Sequence, residues 1–546
     1  MKQLIKNAAV IALFCLSASF YVACNRADTN TPTREAEAPY DLIITNGRVV
    51  DGTGAPWFRA DVGVRGDRIV HIGDLHAAAA KQRIDAANLI VAPGFIDMLG
   101  QSEFNVLVDN RAASKLLQGI TTEITGEGTS IAPLNDRLIA ESFAGQAKHY
   151  GITIDWRSLS EYFTRLDERT HPAINVGTFV GAGGLRQYVI GSQERAATAA
   201  ELDEMKRLVA QAMEQGALGL STSLQYMPDR FATTDELVEL AKVAAQYGGI
   251  YLTHQRSESG RIFESLDEIF SIAERAQIPA EVWHLKTAYK ANWGKMAEVL
   301  KRIHAARDRG LDITANQYPY VRASNGLDAC LPLWVREGGK DQMLARLRDP
   351  AQRERAKREM DDPQAKGWEN QWYGSGGGDG VMLSEVLNAE LKKYEGKTLT
   401  EIGRLMNKDP RDAVMDLVIA DHGDSSVIIS IMTEDDVKLA LQDPLVAVGT
   451  DSGALAEDGP LSHSKSHPRG WGSFPRILGK YVREEHLLSL EAAIHKMTAR
   501  PAARVGLAER GLLRAGMLAD ITVFDPATIH DVATFEDPNH YSVGVK

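Results

Sequence analysis

The sequence predicts an α/β chain: a TIM (β/α)8 barrel, a small β-sandwich domain built from both ends of the chain, and an insertion between barrel strands seven and eight. Three observations carry that prediction. Eight short, buried-looking strand segments alternate with amphipathic helical segments after residue 90, the pattern of a parallel sheet. Turn-separated alternating runs fill residues 41–92, and strand character returns in ADITVFDP from Ala519, so the two ends share one β unit. One interval, residues 321–443, is far longer than an ordinary βα connection.

The elements follow in order. Lys2 and Lys6, an apolar run over residues 8–22 and then Ala23-Cys24 give a signal peptide over residues 1–24. Small residues before a cysteine resemble a bacterial lipobox with Cys24 as the lipidated residue; the alternative is a plain cleaved signal. Either implies export to the periplasm, with membrane contact only through Cys24. Residues 25–39, rich in Thr, Pro, Ala and Glu, read as a flexible linker.

Residues 40–93 form the first part of the β domain, with Asn46-Gly47 as a hairpin signal and Gly66-Asp67 as a second turn. The barrel occupies residues 94–500. Its helices show start signals: Thr198 with Glu201, then Thr233 with Glu236, in capping-box spacing. The insertion holds a charged helical stretch over residues 340–361 and a run, Gly374-Ser375-Gly376-Gly377-Gly378, that reads as the hinge of a lid. Residues 501–546 complete the β domain.

Composition removes several functions. With 61 basic and 73 acidic side chains the chain carries a net charge of −12, so it lacks the basic footprint that nucleic acid requires. Three scattered cysteines, Cys15, Cys24 and Cys330, make neither a disulfide framework nor a CxxC metal site; Cys330 reads as core.

Four residues stand where barrel strands end: Glu127 after strand two, His254 after strand five, His284 after strand six and Asp451 after strand eight. A single buried histidine is more often structural. Two at corresponding points of adjacent strands, with carboxylates nearby, can converge above the barrel. Imidazole nitrogen with carboxylate oxygen suits zinc, and three protein ligands leave a position for water.

The runs GRVVDGTG, APGFID, GITTEITGEG, YLTHQR, VWHLK, YPY, GTDSG, HPRGWGSFPRILGKYVREE, MTARPAARVGL, RGLLRAGMLADITVFDP and TFEDPNHYS resemble, in order, the D-aminoacylase (N-acyl-D-amino-acid deacylase) branch of the amidohydrolase superfamily. The resemblance covers nearly all of residues 40–546. It implies an amidohydrolase-type barrel, hydrolysis of N-acyl-D-amino acids, His254 and His284 as zinc ligands and Asp451 as the catalytic acid and base. It also implies that Tyr226, Tyr320 and Ser324 contact the substrate, and that further β segments follow TFEDPNHYSVGVK.

The chain departs from that branch in two places. Where the superfamily has His-x-His after APGFID, this chain has Leu99 and Gln101, and the strand-two cysteine ligand is absent. Glu127 is therefore expected to be the third ligand, capping or arginine pairing being the alternative. The loss of His-x-His argues for one zinc ion per chain. In the expected mechanism zinc-activated water attacks the amide, and Asp451 takes its proton and returns it to the departing amine. Lys286 lies on the same strand face as His284 by period-two alternation and is expected to meet the substrate carboxylate, with Arg322 a second cation. His463 and His467 read as rim residues, and Trp471 and Arg476 as packing behind the site. Two other functions compete: an amidohydrolase of dipeptides or cyclic amides, and a metal-free exported binding protein.

Overall fold

The computed structural model describes residues 39–191, 193–364, 368–462 and 465–546. The signal with Cys24, the linker up to residue 38, and His463 lie outside the described residues.

The first sheet contains β1 (Tyr40–Val49), β2 (Phe58–Arg65), β3 (Arg68–Gly73), β4 (Ala80–Asp85) and β5 (Ile90–Pro93). Asn46-Gly47 does not turn the chain. β1 runs through it as a β-bulge, with Asn46 at φ 63 and its N–H donating to Asp61 Oδ1 at 2.9 Å. The side chain of the neighbouring strand supplies the partner that a hairpin would have taken from its own turn. The tight turn falls at Gly66-Asp67, where β2 meets β3 antiparallel.

The barrel follows as β6 (Phe95–Asp97), β7 (Ile120–Thr125), β8 (Asn175–Thr178) with β9 (Val180–Gly181), β10 (Gly219–Ser223), β11 (Ile250–His254), β12 (Ala280–Val282) and β13 (Ile313–Gln317). β8 and β9 are one strand interrupted at Phe179: the first half pairs with β7, the second with β10. A three-stranded antiparallel sheet, β14 (Arg322–Gly326), β15 (Val381–Glu385) and β16 (Ser426–Ser430), then covers the barrel mouth. β17 (Val446–Val448) returns parallel to β13, and a bridge between Gly100 and Ser452 closes the barrel against strand one. β18 (Ile521–Phe524) pairs antiparallel with β5 and completes the first sheet.

Both helix-start signals are realised: Thr198 and Glu201 form a reciprocal capping box, and Thr233 accepts from Glu236 N. The charged stretch in the insertion is two helices, Lys340–Arg348 and Pro350–Met360, because Asp349 caps the second and Pro350 cannot continue the first. The helix Glu434–Gln442 packs on Met296–Asp308 in the barrel's outer ring, so the added layer ends before it. The glycine run leads from a short helix, Gln371–Gly374, into a single 3-10 turn, Gly377–Asp379, where a Cβ on Gly378 would sit 2.7 Å from Thr400 Oγ1 while one on Gly376 would meet nothing within 4 Å.

The barrel interior is filled by Ile96, Met98, Leu99, Ile124, Phe179, Leu252 and Trp283. Beneath the mouth lies a buried charge cluster. Lys115 Nζ donates to Asp97 Oδ2 (2.7 Å), Thr450 Oγ1 (2.8 Å) and the Ser452 carbonyl (2.7 Å), with Glu123 Oε1 at 3.6 Å. Lys115, Asp97 and Glu123 are each fully buried. The cluster ties strands one, two and eight together. Lys115→Met strands two carboxylates without their cation, and is expected to cost about 3–5 kcal/mol, read as a lower urea midpoint at equal zinc; an unchanged midpoint refutes the tie.

Candidate metal centre and catalytic cavity

The centre begins at the end of β7. Gly126 has φ +96, and a Cβ there would meet the Phe179 carbonyl at 2.6 Å, so this sharp turn is open only to glycine and delivers the next side chain, Glu127, over the barrel. Glu127 Oε1 lies 3.2 Å from His254 Nδ1 and 3.1 Å from His284 Nε2. These three atoms belong to one cluster of metal-ligating type. Zinc bonds of 2.0–2.1 Å imply a tetrahedral edge of about 3.3 Å, so the donor set fits a zinc ion.

The outer nitrogens of both rings are held. His254 Nε2 is 2.9 Å from Gln225 Oε1, and His284 Nδ1 is 3.0 Å from Glu258 Oε1, which also accepts from Lys286 Nζ at 2.7 Å. Gln225 Oε1 is an acceptor, so the outer nitrogen of His254 carries the proton and its inner one faces the metal position, whereas His284 Nδ1 lies between an acceptor, Glu258 Oε1, and a donor, Lys286 Nζ at 2.7 Å, with Nε2 turned to the metal position. Burial opposes ionisation of Glu258, but Lys286 and the two imidazoles outweigh it and hold the carboxyl below its ordinary range. Glu127 behaves likewise: hydrogen bonds from the two histidines overcome its burial and keep it well below the usual range. Burial and Lys286 disfavour a charged His284, yet Glu258, Asp451 and Glu127 together push it up to about 9.

His284 (φ 35) and Asp451 (φ 52) both sit at positive φ, uncommon for residues with a side chain. Each is pinned by its own N–H: His284 N donates to Asn316 Oδ1 (2.9 Å), and Asp451 N to the Leu99 carbonyl (2.7 Å). Asp451 Oδ2 pairs with Arg469 Nη1 at 2.6 Å, and Oδ1 accepts from Gln101 Nε2 at 3.0 Å. Burial, opposed by Arg469, raises the Asp451 pKa above that of an ordinary aspartate. The same Gln101 amide also donates to Glu127 Oε2 at 3.1 Å. Gln101 thus joins the general-base candidate to the metal carboxylate.

These groups line a cavity of about 450 Å3 between the barrel mouth and the added sheet. Among the residues expected at the site, Glu127, His254, His284, Asp451, Lys286, Tyr226 and Ser324 all line it. Three expectations need correction. Tyr320 turns away: its hydroxyl donates to Asp531 Oδ2 (3.2 Å) and its ring packs on Phe535. β13 ends at Gln317 and Pro319 follows, so strand alternation does not extend to Tyr320. Tyr318 is buried behind the cavity wall, with its ring 5.7 Å from Lys286 Nζ and 4.7 Å from Arg469 Cζ. Arg322 also misses the cavity and lies over the Phe535 ring. Lys286 is buried and committed to Glu258, so it is not the open cation that period-two alternation suggested.

Sequence reading missed Arg469, Glu258, Gln225 and Tyr318. A signal existed for three of them. Arg469 stands in the HPRGWG run, and Glu258 follows His254 by four residues. Tyr318 likewise stands in the YPY run, whose second tyrosine was taken instead, and Gln225 has no distinguishing pattern. His467, expected at the rim, is buried in the cavity wall with Nε2 3.0 Å from the Arg322 carbonyl. Trp471 and Arg476 pack behind the site as expected: Trp471 Nε1 donates to Ser466 Oγ, and Arg476 pairs with Asp531. Cys330 is buried core.

Residues 422–546 match the model of the amidohydrolase family. The chain is 35% identical to a D-aminoacylase of Alcaligenes xylosoxydans xylosoxydans over 93% of its own length and 92% of the relative's. It is 36% identical to an N-acyl-D-glutamate deacylase of the same organism, over 93% and 91%. Among solved structures, N-acyl-D-glutamate deacylase from Bordetella bronchiseptica, complexed with zinc and a phosphonate mimic of the tetrahedral intermediate, superposes with a TM-score of 0.78 at 34% identity, covering 93% of this chain and 95% of that one.

Proposed function

Since the chain belongs to the D-aminoacylase family of amidohydrolases, we propose that it hydrolyses the amide of N-acyl-D-amino acids to a carboxylate and a free D-amino acid. The observation that carries this reading is the convergence of Glu127 Oε1, His254 Nδ1 and His284 Nε2 beneath a cavity that Asp451 also faces. Glu127, His254 and His284 would hold one zinc ion, which when bound polarises the acyl oxygen and lowers the pKa of water toward about 7.

The protein side chains do the rest. Asp451 is fixed on both oxygens, by Gln101 and by Arg469, and takes the proton of the attacking water. The same carboxyl then gives that proton to the departing nitrogen. Tyr226 Oη accepts from Asn325 Nδ2 at 3.0 Å, which leaves its own O–H to donate to the acyl oxygen as negative charge develops there. Burial keeps that phenol protonated, well above its usual pKa. Arg469 is the cation nearest Asp451 and receives the substrate α-carboxylate. The amino-terminal segment ending at Cys24 supports export and lipid anchoring of the enzyme.

The test uses the zinc-loaded full chain with N-acetyl-D- and N-acetyl-L-leucine. D-leucine is released and L-leucine is not; chelation stops release and zinc restores it, and cell fractionation finds the activity with the envelope. Release from neither substrate ends the deacylase reading, and activity confined to the cytosol ends the export reading.

A further inference from the structure

Four carboxylates line the catalytic cavity, and three of them are matched. Glu127 faces the two histidines, Glu258 accepts from Lys286 Nζ, and Asp451 pairs with Arg469. The fourth is Glu385, at the end of β15 in the added sheet. Among the described residues no hydrogen bond or ion pair reaches its carboxylate. Lys392, the cation that acts on it, is held by Glu395 at 2.9 Å. Burial and the like charge of Glu395 outweigh Lys392 and raise the Glu385 pKa above that of an ordinary glutamate, as expected of a negative charge short of compensation. The cations of the lining, Lys286 and Arg469, are engaged by Glu258 and Asp451, so the complement of Glu385 has to arrive with a ligand.

A β-bulge sets the direction of this side chain. Val381, Met382 and Leu383 pair in step with Ile429, Ile428 and Val427, but the next pair is Glu385 with Ser426, so Ser384 is an extra residue. In regular alternation residue 385 would share the face of Val381 and Leu383, which pack in the core. The extra residue shifts Glu385 to the face of Ser426 and of Ser324 on β14, and both serines line the cavity. Glu385 thus meets the cavity from the added sheet, while the barrel strands carry the metal cluster. We propose that Glu385 selects a cation, an ammonium or guanidinium group at the end of a substrate whose amide lies at the metal position, carried by the amino-acid side chain or by the acyl group. The assignment rests on the deacylase reading above. A fixed, partly desolvated carboxylate rewards a cation that forms a charge-assisted hydrogen bond with it, and it penalises a neutral chain end that covers it without replacing its water.

Two matched pairs of substrates separate the sources. Nα-acetyl-D-lysine and N-acetyl-D-norleucine differ by a terminal ammonium on the side chain, and N-(ε-aminocaproyl)-D-leucine and N-caproyl-D-leucine by one on the acyl group. With the zinc-loaded full chain, the ammonium member of at least one pair is expected to exceed its neutral counterpart in kcat/KM by about tenfold, chiefly through KM, and the excess shrinks as salt is added. Glu385→Gln, which keeps the shape and removes the charge, brings that ratio close to one, and Glu385→Asp keeps part of it. The assignment is overturned if neither ammonium substrate exceeds its neutral counterpart, or if the ratio is unmoved in Glu385→Gln. Hydrolysis of none of the four by zinc-loaded enzyme is a different result, and overturns the deacylase reading instead.

Discussion

Asp451→Asn lowers kcat by about a thousandfold or more while leaving zinc content and KM near wild type. The substitution keeps the shape and a hydrogen-bond acceptor for Gln101, so the cavity geometry is retained. What is lost is a group able to take a proton from water and hand it on. Asp451 is outside the three-donor cluster, so the metal stays. The wild-type pH profile carries the same signature. Activity rises as Asp451 ionises, and because burial raises its pKa the acidic limb lies above that of an ordinary aspartate. A variant retaining a tenth of wild-type kcat, or one that loses zinc, removes Asp451 from the role of base.

Glu127→Ala abolishes zinc binding. Without its Oε1 the two histidines remain as a pair of neutral donors, short of the three protein ligands that a catalytic zinc needs. Elemental analysis of protein purified without added metal is expected to give about one zinc per wild-type chain and essentially none in the variant. Wild-type affinity should also depend on pH. His284 in the metal-free protein is pushed up to about 9, so below that pH a proton must leave before the nitrogen can bind metal. Zinc affinity then rises about tenfold per pH unit between pH 6 and pH 8. Full zinc occupancy in Glu127→Ala would show that the carboxylate only pairs with the histidines, and two ions per wild-type chain would show that Gln101 does not close the second position.

The barrel was legible because its signals are repetitive: its strands are short and apolar, two of its helices carry capping-box spacing, and Glu127, His254, His284 and Asp451 fall at or just past strand ends. Legibility failed where irregular backbone takes over. Asn46-Gly47 has the composition of a turn, but Asp61 from the next strand accepts its N–H and the strand continues. Tyr320 follows a proline beyond the last paired residue of its strand, where alternation has no force. Lys286 was placed at the cavity, but Glu258 arrives from the loop after β11, so sequence spacing could not show that its charge was already matched. Arg469 lay within a run already singled out, and its direction depends on a helix start that no periodic pattern encodes.

The pairing of β18 with β5 has a kinetic consequence. The residues that close the first sheet are made roughly 430 positions after those they cover, so the loop entropy of that contact is met only when the barrel between them has condensed. Until then β5 has an unsatisfied edge bearing Ile90, Val91 and Ala92, all fully buried in the finished protein. The domain that emerges first during synthesis is therefore the last to be completed, and its apolar edge must be kept from other chains for the whole of that interval.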